Sequence, residues 1–166
     1  MKRVTLYLLL EITLVLLSGF KSDDKPEFSP ELLWEQLLEQ NIDHPEVVMA
    51  QAIHETNRFK APIFTVGNNL FAMRVPRKRE TTAVGYYKSY AAYANWIDAV
   101  TDMKKWQDAH RKYYSNTAKY KSYYDFLRAV YAEDPLYVDK LYKYVKEVSK
   151  TYKNESRNKR EMAQGS

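Results

Sequence analysis

Cysteine is absent from the 166 residues, and glycine (4), histidine (3) and proline (6) are scarce. Without thiols there is no disulfide, no thiolate metal site and no cysteine nucleophile. With so few glycines the chain carries no Gly-rich phosphate loop, and no Gly-x-Ser-x-Gly spacing of a nucleophile elbow appears. The histidines His44, His54 and His110 have no clustered acidic or histidine partners, so no metal site is expected. Also missing is an apolar run of the ~20 residues that a membrane-spanning helix requires. The longest, Leu6 to Leu17, is about a dozen residues.

What is present suits one globular domain. Hydrophobic residues make up 45% and charged residues 28%, and a chain of this length hides roughly two-thirds of its unfolded surface on folding. The net charge of +5 fits a surface that attracts an anionic polymer or lipid, and equally a set of solvated lysines. Much of the excess sits in Lys150, Lys153, Arg157, Lys159 and Arg160. The lysines do not form one helical stripe with interleaved aromatics, so nucleic acid is not an expected partner.

Residues 1–19 read as an export signal: Lys2 and Arg3, the apolar run interrupted by Glu11, then the small residues Ser18-Gly19. If uncleaved, the segment is a weak anchor that touches a membrane transiently. Residues 20–28 are polar, contain Pro26 and read as a linker. The domain is expected over 29–152, followed by a polar, basic tail over 153–166.

Ser29-Pro30 opens the first helix, with Leu32, Leu33, Leu37 and Leu38 as its apolar stripe. A second runs from about His44-Pro45-Glu46 to Asn57 and is apolar nearly all round, the pattern of a buried helix. At about 100° per residue, Val48, Ala52 and Glu55 share a face, and His54 points elsewhere. Residues 74–90 read as an irregular lobe or short hairpin. Ser89 is expected to cap a long helix bearing Trp96, Ala99, Val100, Met103 and Gln107 on its inner face. Further helices are expected over about 122–131 and from Asp134-Pro135 onward. The predicted class is mainly α with one small irregular or β-hairpin lobe.

Four segments recur in a telling order: Ala50-Gln51-Ala52-Ile53-His54-Glu55-Thr56, Gly67-Asn68-Asn69-Leu70-Phe71-Ala72-Met73, Tyr87-Lys88-Ser89-Tyr90, and Tyr131-Ala132-Glu133-Asp134-Pro135-Leu136-Tyr137. Over residues 29–150 the chain resembles the bacterial endo-β-N-acetylglucosaminidases of the autolysin and flagellar muramidase type, glycoside hydrolase family 73 of the lysozyme superfamily. The resemblance implies a lysozyme-like helical fold and an exported, monomeric enzyme of the periplasm, envelope or exterior. Its implied partner is the peptidoglycan glycan strand, with no cofactor. Thr56-Asn57 stands where the family often has Ser-Gly, Ala72 where it has Gly, and Met73-Arg74 where it has Ile-Lys.

Cleaving a glycosidic bond requires a protonated acid at the leaving oxygen. A free Glu is ionised at neutral pH, and an apolar helical face opposes that ionisation. Glu55 has that context; the alternative is a buried Glu paired with Arg58 or Arg74. Glu80, ahead of Thr81-Thr82, is the candidate second carboxylate, against a solvated Glu neutralised by Arg77, Lys78 and Arg79. The substrate's own N-acetyl group is the other source of assistance. Asn69 is a candidate substrate contact or a turn residue, and Phe71 a substrate contact or a core ring. Tyr131 matches the family's cleft tyrosine, a hydrogen-bonding partner at the reaction centre, or is a packed tyrosine at a helix end. Tyr87, with Tyr86 and Tyr90, is a candidate for lining a sugar groove. A lytic transglycosylase and a non-catalytic glycan-binding module are the competing readings.

Overall fold

The computed structural model describes residues 27–116, 119–131 and 133–153. The expected export signal, most of the linker and all but the start of the basic tail lie outside these residues. In α1 (Pro30–Glu39) the Ser29 hydroxyl accepts from the Leu32 amide at 3.1 Å, and Pro30 occupies the first turn. Packing extends to the residue before this cap. Phe28 packs edge-on to Phe64 and Trp96 and against Phe59, so the end of the expected linker is an anchored ring.

α2 (Pro45–Glu55) is enclosed on every side, with Val47 through Ile53 all buried. It divides the core. Val48, Met49, Ala52 and Ile53 join Leu33, Leu37, Phe71 and Val100 in the larger cluster. Val47 joins the smaller one with Phe126, Leu127, Val138 and Leu141. The short α3 (Pro62–Thr65) follows; its four residues are too few to show a helical period. β1 (Gly85–Tyr87) and β2 (Tyr90–Ala92) pair antiparallel with Tyr87 opposite Tyr90. α4 (Trp96–Tyr114), α5 (Tyr123–Val130) and α6 (Tyr137–Val148) complete the domain, with a π-helical turn over Ser149–Lys153. The structure is mainly α with one small hairpin, as expected.

One cap differs from expectation. Ser89 lies in the hairpin turn, and α4 is capped by Asn95, whose side chain accepts from the Ile97 and Asp98 amides at 2.9 and 3.1 Å. Both residues are good caps, and only the strand pairing decides between them.

After α2 the chain reverses through three successive left-handed residues without glycine: Asn57, Arg58 and Phe59, with φ of 48°, 57° and 64°. Such residues cost of order 1–2 kcal/mol each. Two anchors hold them. The buried Thr56 hydroxyl donates to Ala52 O at 2.6 Å and accepts from the Phe59 amide at 2.8 Å. Arg58 makes two bonds of 2.8 Å to Glu147 on α6. A second tight turn starts at Gly67, where a Cβ would sit 2.8 Å from Ile63 O. Beyond it Ala72 also takes a left-handed φ of 52°.

The segment between this turn and α4 is irregular but fixed. Arg79 reaches α4 and forms a two-pronged pair with Asp102, at 2.5 and 3.2 Å. Asp102 is fully buried and also accepts the Tyr93 hydroxyl at 2.8 Å. Thr82 donates to Asp98 O at 2.6 Å. Asp102→Ala removes the shared acceptor and strands a guanidinium that is only 13% exposed. The expected loss is roughly 3–5 kcal/mol in urea unfolding; a loss under ~1 kcal/mol would rank the pair with ordinary surface bridges. Ala72→Gly relieves the left-handed strain and should raise stability by about 1 kcal/mol, read as a higher thermal midpoint. An unchanged midpoint would mean that Ala72 bears no strain.

Candidate active site

α2 ends on Glu55, and the cleft begins there. A groove of about 1100 Å³ runs between the end of α2, the 72–79 segment, the middle of α4 and the α5–α6 junction. Glu55 is half-buried in its wall. Removal from water holds its carboxyl above the usual carboxylate range, and a hydrogen bond with Tyr137 partly offsets that rise. Tyr137 is 4% exposed and belongs to the small core cluster. Its hydroxyl accepts from Gln51 Nε2 at 3.1 Å, so its own proton is free to point at Glu55. Burial pushes the Tyr137 phenol far up, with the Glu55 charge adding to it. The phenol therefore stays neutral and serves as a donor. Gln51 and Glu55 are one helical turn apart, which puts both on the side of α2 that faces α6.

Tyr131 completes this corner. Its hydroxyl donates to Phe71 O at 2.5 Å, its ring stacks on Tyr137 at 5.7 Å, and its edge meets Trp106 at 5.3 Å. Trp106 on α4 also lines the groove, stacked on His110 at 4.6 Å, with His110 Nδ1 donating to Trp106 O. Tyr113 and Tyr90 add further ring faces. Rings of this kind cover the apolar faces of sugars. His54 lines the groove as well, so the two neighbours His54 and Glu55 share one surface at the C-terminal end of α2. Burial first, and then the Lys140 charge, lower the His54 pKa, against a smaller opposing effect of Asp134. At neutral pH this imidazole is uncharged and does not compete with Glu55 for its proton.

Of the candidates read from the sequence, Glu55 and Tyr131 meet in the groove. Asn69 does not face it. Asn69 is fully buried, and its amide donates to Met73 O and Ala91 O at 2.9 and 2.7 Å. Its oxygen accepts from the Phe71 and Met73 amides, both at 3.2 Å. All four hydrogen-bonding positions are used, which leaves none for a sugar. Phe71 is a fully buried core ring, and only its carbonyl reaches the site, through Tyr131. Tyr87 sits on the hairpin against Gly67 and is not among the groove-lining residues. Glu80 is absent from the lining too. Its carboxylate is 88% exposed and bonds Lys105 at 2.8 Å, which holds its pKa below the usual value.

Two acids at the groove rim were not singled out from the sequence. Glu133 is 95% exposed and 3.9 Å from Arg74. Asp134 accepts from Lys140 at 2.5 Å and from the Leu136 amide at 2.9 Å, and the Lys140 bond keeps it ionised. Tyr137 and Gln51 stand inside the quoted motifs, and their spacing to Glu55 was the available signal. Trp106 and His110 follow Met103 at three and seven residues, so the inner stripe of the long helix runs on into the groove. No group of three or more metal-ligating side chains occurs among the described residues.

Residues 32–150 match the family model described as mannosyl-glycoprotein endo-beta-N-acetylglucosaminidase. Among solved structures, the catalytic domain of the autolysin Auto from Listeria monocytogenes is similar at 17% identity, over 85% of this chain and 94% of that one, with a TM-score of 0.46. No curated protein matches the chain.

Because the Tyr137 hydroxyl favours the ionised form of Glu55, Tyr137→Phe should move the Glu55 titration to higher pH. Carboxyl-carbon NMR across the acid range checks this. A midpoint that stays put or moves down would show that the two groups are not bonded in solution.

Proposed function

The chain belongs to the glucosaminidase family and is a glycoside hydrolase, and from that premise we propose that it cuts the β-1,4 links of peptidoglycan glycan strands, on the N-acetylglucosamine side, with Glu55 as proton donor. One observation carries the assignment: Glu55 is the acid in the groove wall whose environment opposes ionisation. Glu133 and Asp134 stand in water at the rim with cations beside them. A carboxylic acid whose burial favours the protonated form can donate to the leaving oxygen as the bond to the anomeric carbon lengthens. Tyr137 then donates to the carboxylate that is left. Its bond gains strength as negative charge develops, which is where a preorganised dipole lowers a barrier. Trp106, Tyr113 and Tyr131 supply faces on which the sugar rings rest.

The second half of the reaction has two candidate sources. Glu80 acts as a base on water only if it leaves Lys105 and turns into the groove. Without such a turn, the acetamido oxygen of the substrate attacks the anomeric carbon from the opposite face, and Glu55 then takes the proton of the incoming water. The same one-acid geometry favours a second reading, lytic transglycosylation, in which a substrate hydroxyl closes onto the anomeric carbon and an anhydro-sugar leaves. The placement of Glu80 outside the lining supports keeping both. Action on a wall polymer fits an exported protein; among the described residues no helix is long and apolar enough to cross a membrane.

Glu55→Gln removes the proton and keeps the shape. It should abolish release of reducing ends from purified walls, a loss of at least ~10³-fold. The variant should be no less stable at pH 7. A raised folded-state pKa means that stability present below the unfolded value falls away as pH climbs through the folded one, and Gln has no such loss. Wild-type activity should decline over the same interval, because only the protonated acid works. Mass spectrometry of the wild-type digest separates hydrolysis from transglycosylation by the loss of water in the latter. Retained activity in Glu55→Gln would remove that residue from the mechanism. Undiminished activity in Glu80→Gln would leave the acetamido route as the hydrolytic path.

A further inference from the structure

One wall of the groove is a run of cations whose side chains fall into two groups. Arg79 turns inward and is neutralised by the buried Asp102. Arg74, Arg77 and Lys78 are exposed, and all three line the groove. Arg74 has one distant partner, Glu133 at 3.9 Å. Arg77 and Lys78 have no ion-pair or hydrogen-bond partner among the described residues, although the chain has acids to spare for Lys104, Lys105, Arg111, Arg128 and Lys140. The acids that face the groove from other elements do not neutralise them. Glu55 is held toward its neutral form, Glu133 leans on Arg74, and Asp134 is taken by Lys140.

The wall is also fixed in place. At its start Met73 is bonded on both sides, its amide and carbonyl to Asn69 and its carbonyl to the Ala91 amide at 2.8 Å. At its end the Arg79–Asp102 pair fastens it to α4. Two uncompensated cations on a pre-positioned wall add nothing to the binding of a neutral sugar, whose needs are ring faces and neutral hydrogen bonds. They suit carboxylates, which guanidinium and ammonium groups bind with charge-assisted bonds.

We propose that Arg77 and Lys78 form a carboxylate-binding site beside the catalytic groove, which selects glycan strands that carry acidic peptide side chains over bare glycan. The inference rests on the reading of the groove as a glycan site. It adds that the strand is recognised by its peptide substituents as well as by its sugars. Two solvent-exposed charge pairs of ordinary strength amount to about a three- to tenfold preference.

The test uses the full chain carrying Glu55→Gln, so that binding is read without turnover. Two probes are titrated: soluble peptidoglycan strands with their peptide side chains, and the same strands stripped of peptide by an amidase, with the lactyl carboxylates so freed then capped as methylamides. The peptide-bearing strands should bind about three to ten times more tightly. Adding Arg77→Gln and Lys78→Gln should bring that ratio to about one, whereas Arg77→Lys with Lys78→Arg should keep it. Raising the salt should shrink the ratio in the parent and leave the double Gln variant unaffected. A ratio of one in the parent, or a ratio that survives the double Gln change, overturns the proposal. So does tight binding of a phosphodiester polymer with no preference between the two strands. If the preference holds while the wild-type chain releases no fragments from walls, the hydrolase reading fails and this one stands.

Discussion

The structure turns on placing one carboxyl group at the end of a helix that water does not reach. α2 is surrounded: one side supplies the larger core cluster, another the smaller, and Gln51 and Glu55 emerge toward α6 where the two clusters meet. A carboxylate there gives up hydration that its surroundings do not fully replace. Tyr137 returns part of that loss through one hydrogen bond. The balance tilts the acid toward its protonated form and leaves a donor facing the carboxylate. Ordinary core packing produces this shift, because Val47 through Ile53 must be covered for the domain to fold at all.

The helices and the acid were legible because both leave local signatures. Helical stripes show in spacing, caps show in Ser and Pro placement, and a Glu embedded in an apolar run stands out. The residues around the acid were less so. Asn69 and Phe71 carry the chemistry of a binding site and are spent on architecture, since backbone amides two and four residues on, together with a β2 carbonyl, consume every polar atom of Asn69. Ser89 had the right type for a helix cap and went into a hairpin turn, because the strand pairing that fixes its position is not local. Tyr137 shows the reverse. Its neighbours in sequence identify a motif, but its role comes from Gln51, which is 86 positions away. Contacts at that separation have no periodic trace.

Strain and restraint are distributed in a consistent way. Of the eight non-glycine residues in left-handed backbone among the described residues, Asn57 to Phe59 lie directly after the acid and Ala72 on the groove wall. Side chains hold both: Thr56 and the Arg58–Glu147 pair the first, Asn69 the second. The wall beyond Ala72 lacks regular structure and is nonetheless defined at both ends, because Arg79 reaches a fully buried Asp102. An irregular segment with fixed ends can present its side chains at set positions without the backbone periodicity of a strand or helix.

The hydroxyl of Tyr131 touches only the carbonyl of Phe71, yet that contact joins the end of α5 to the turn from which the groove wall departs. The phenol thus ties the α5 side of the groove to the root of the wall that begins at Ala72. A hydrogen bond across a cleft resists its widening, because parting the two sides would leave a polar group unpaired.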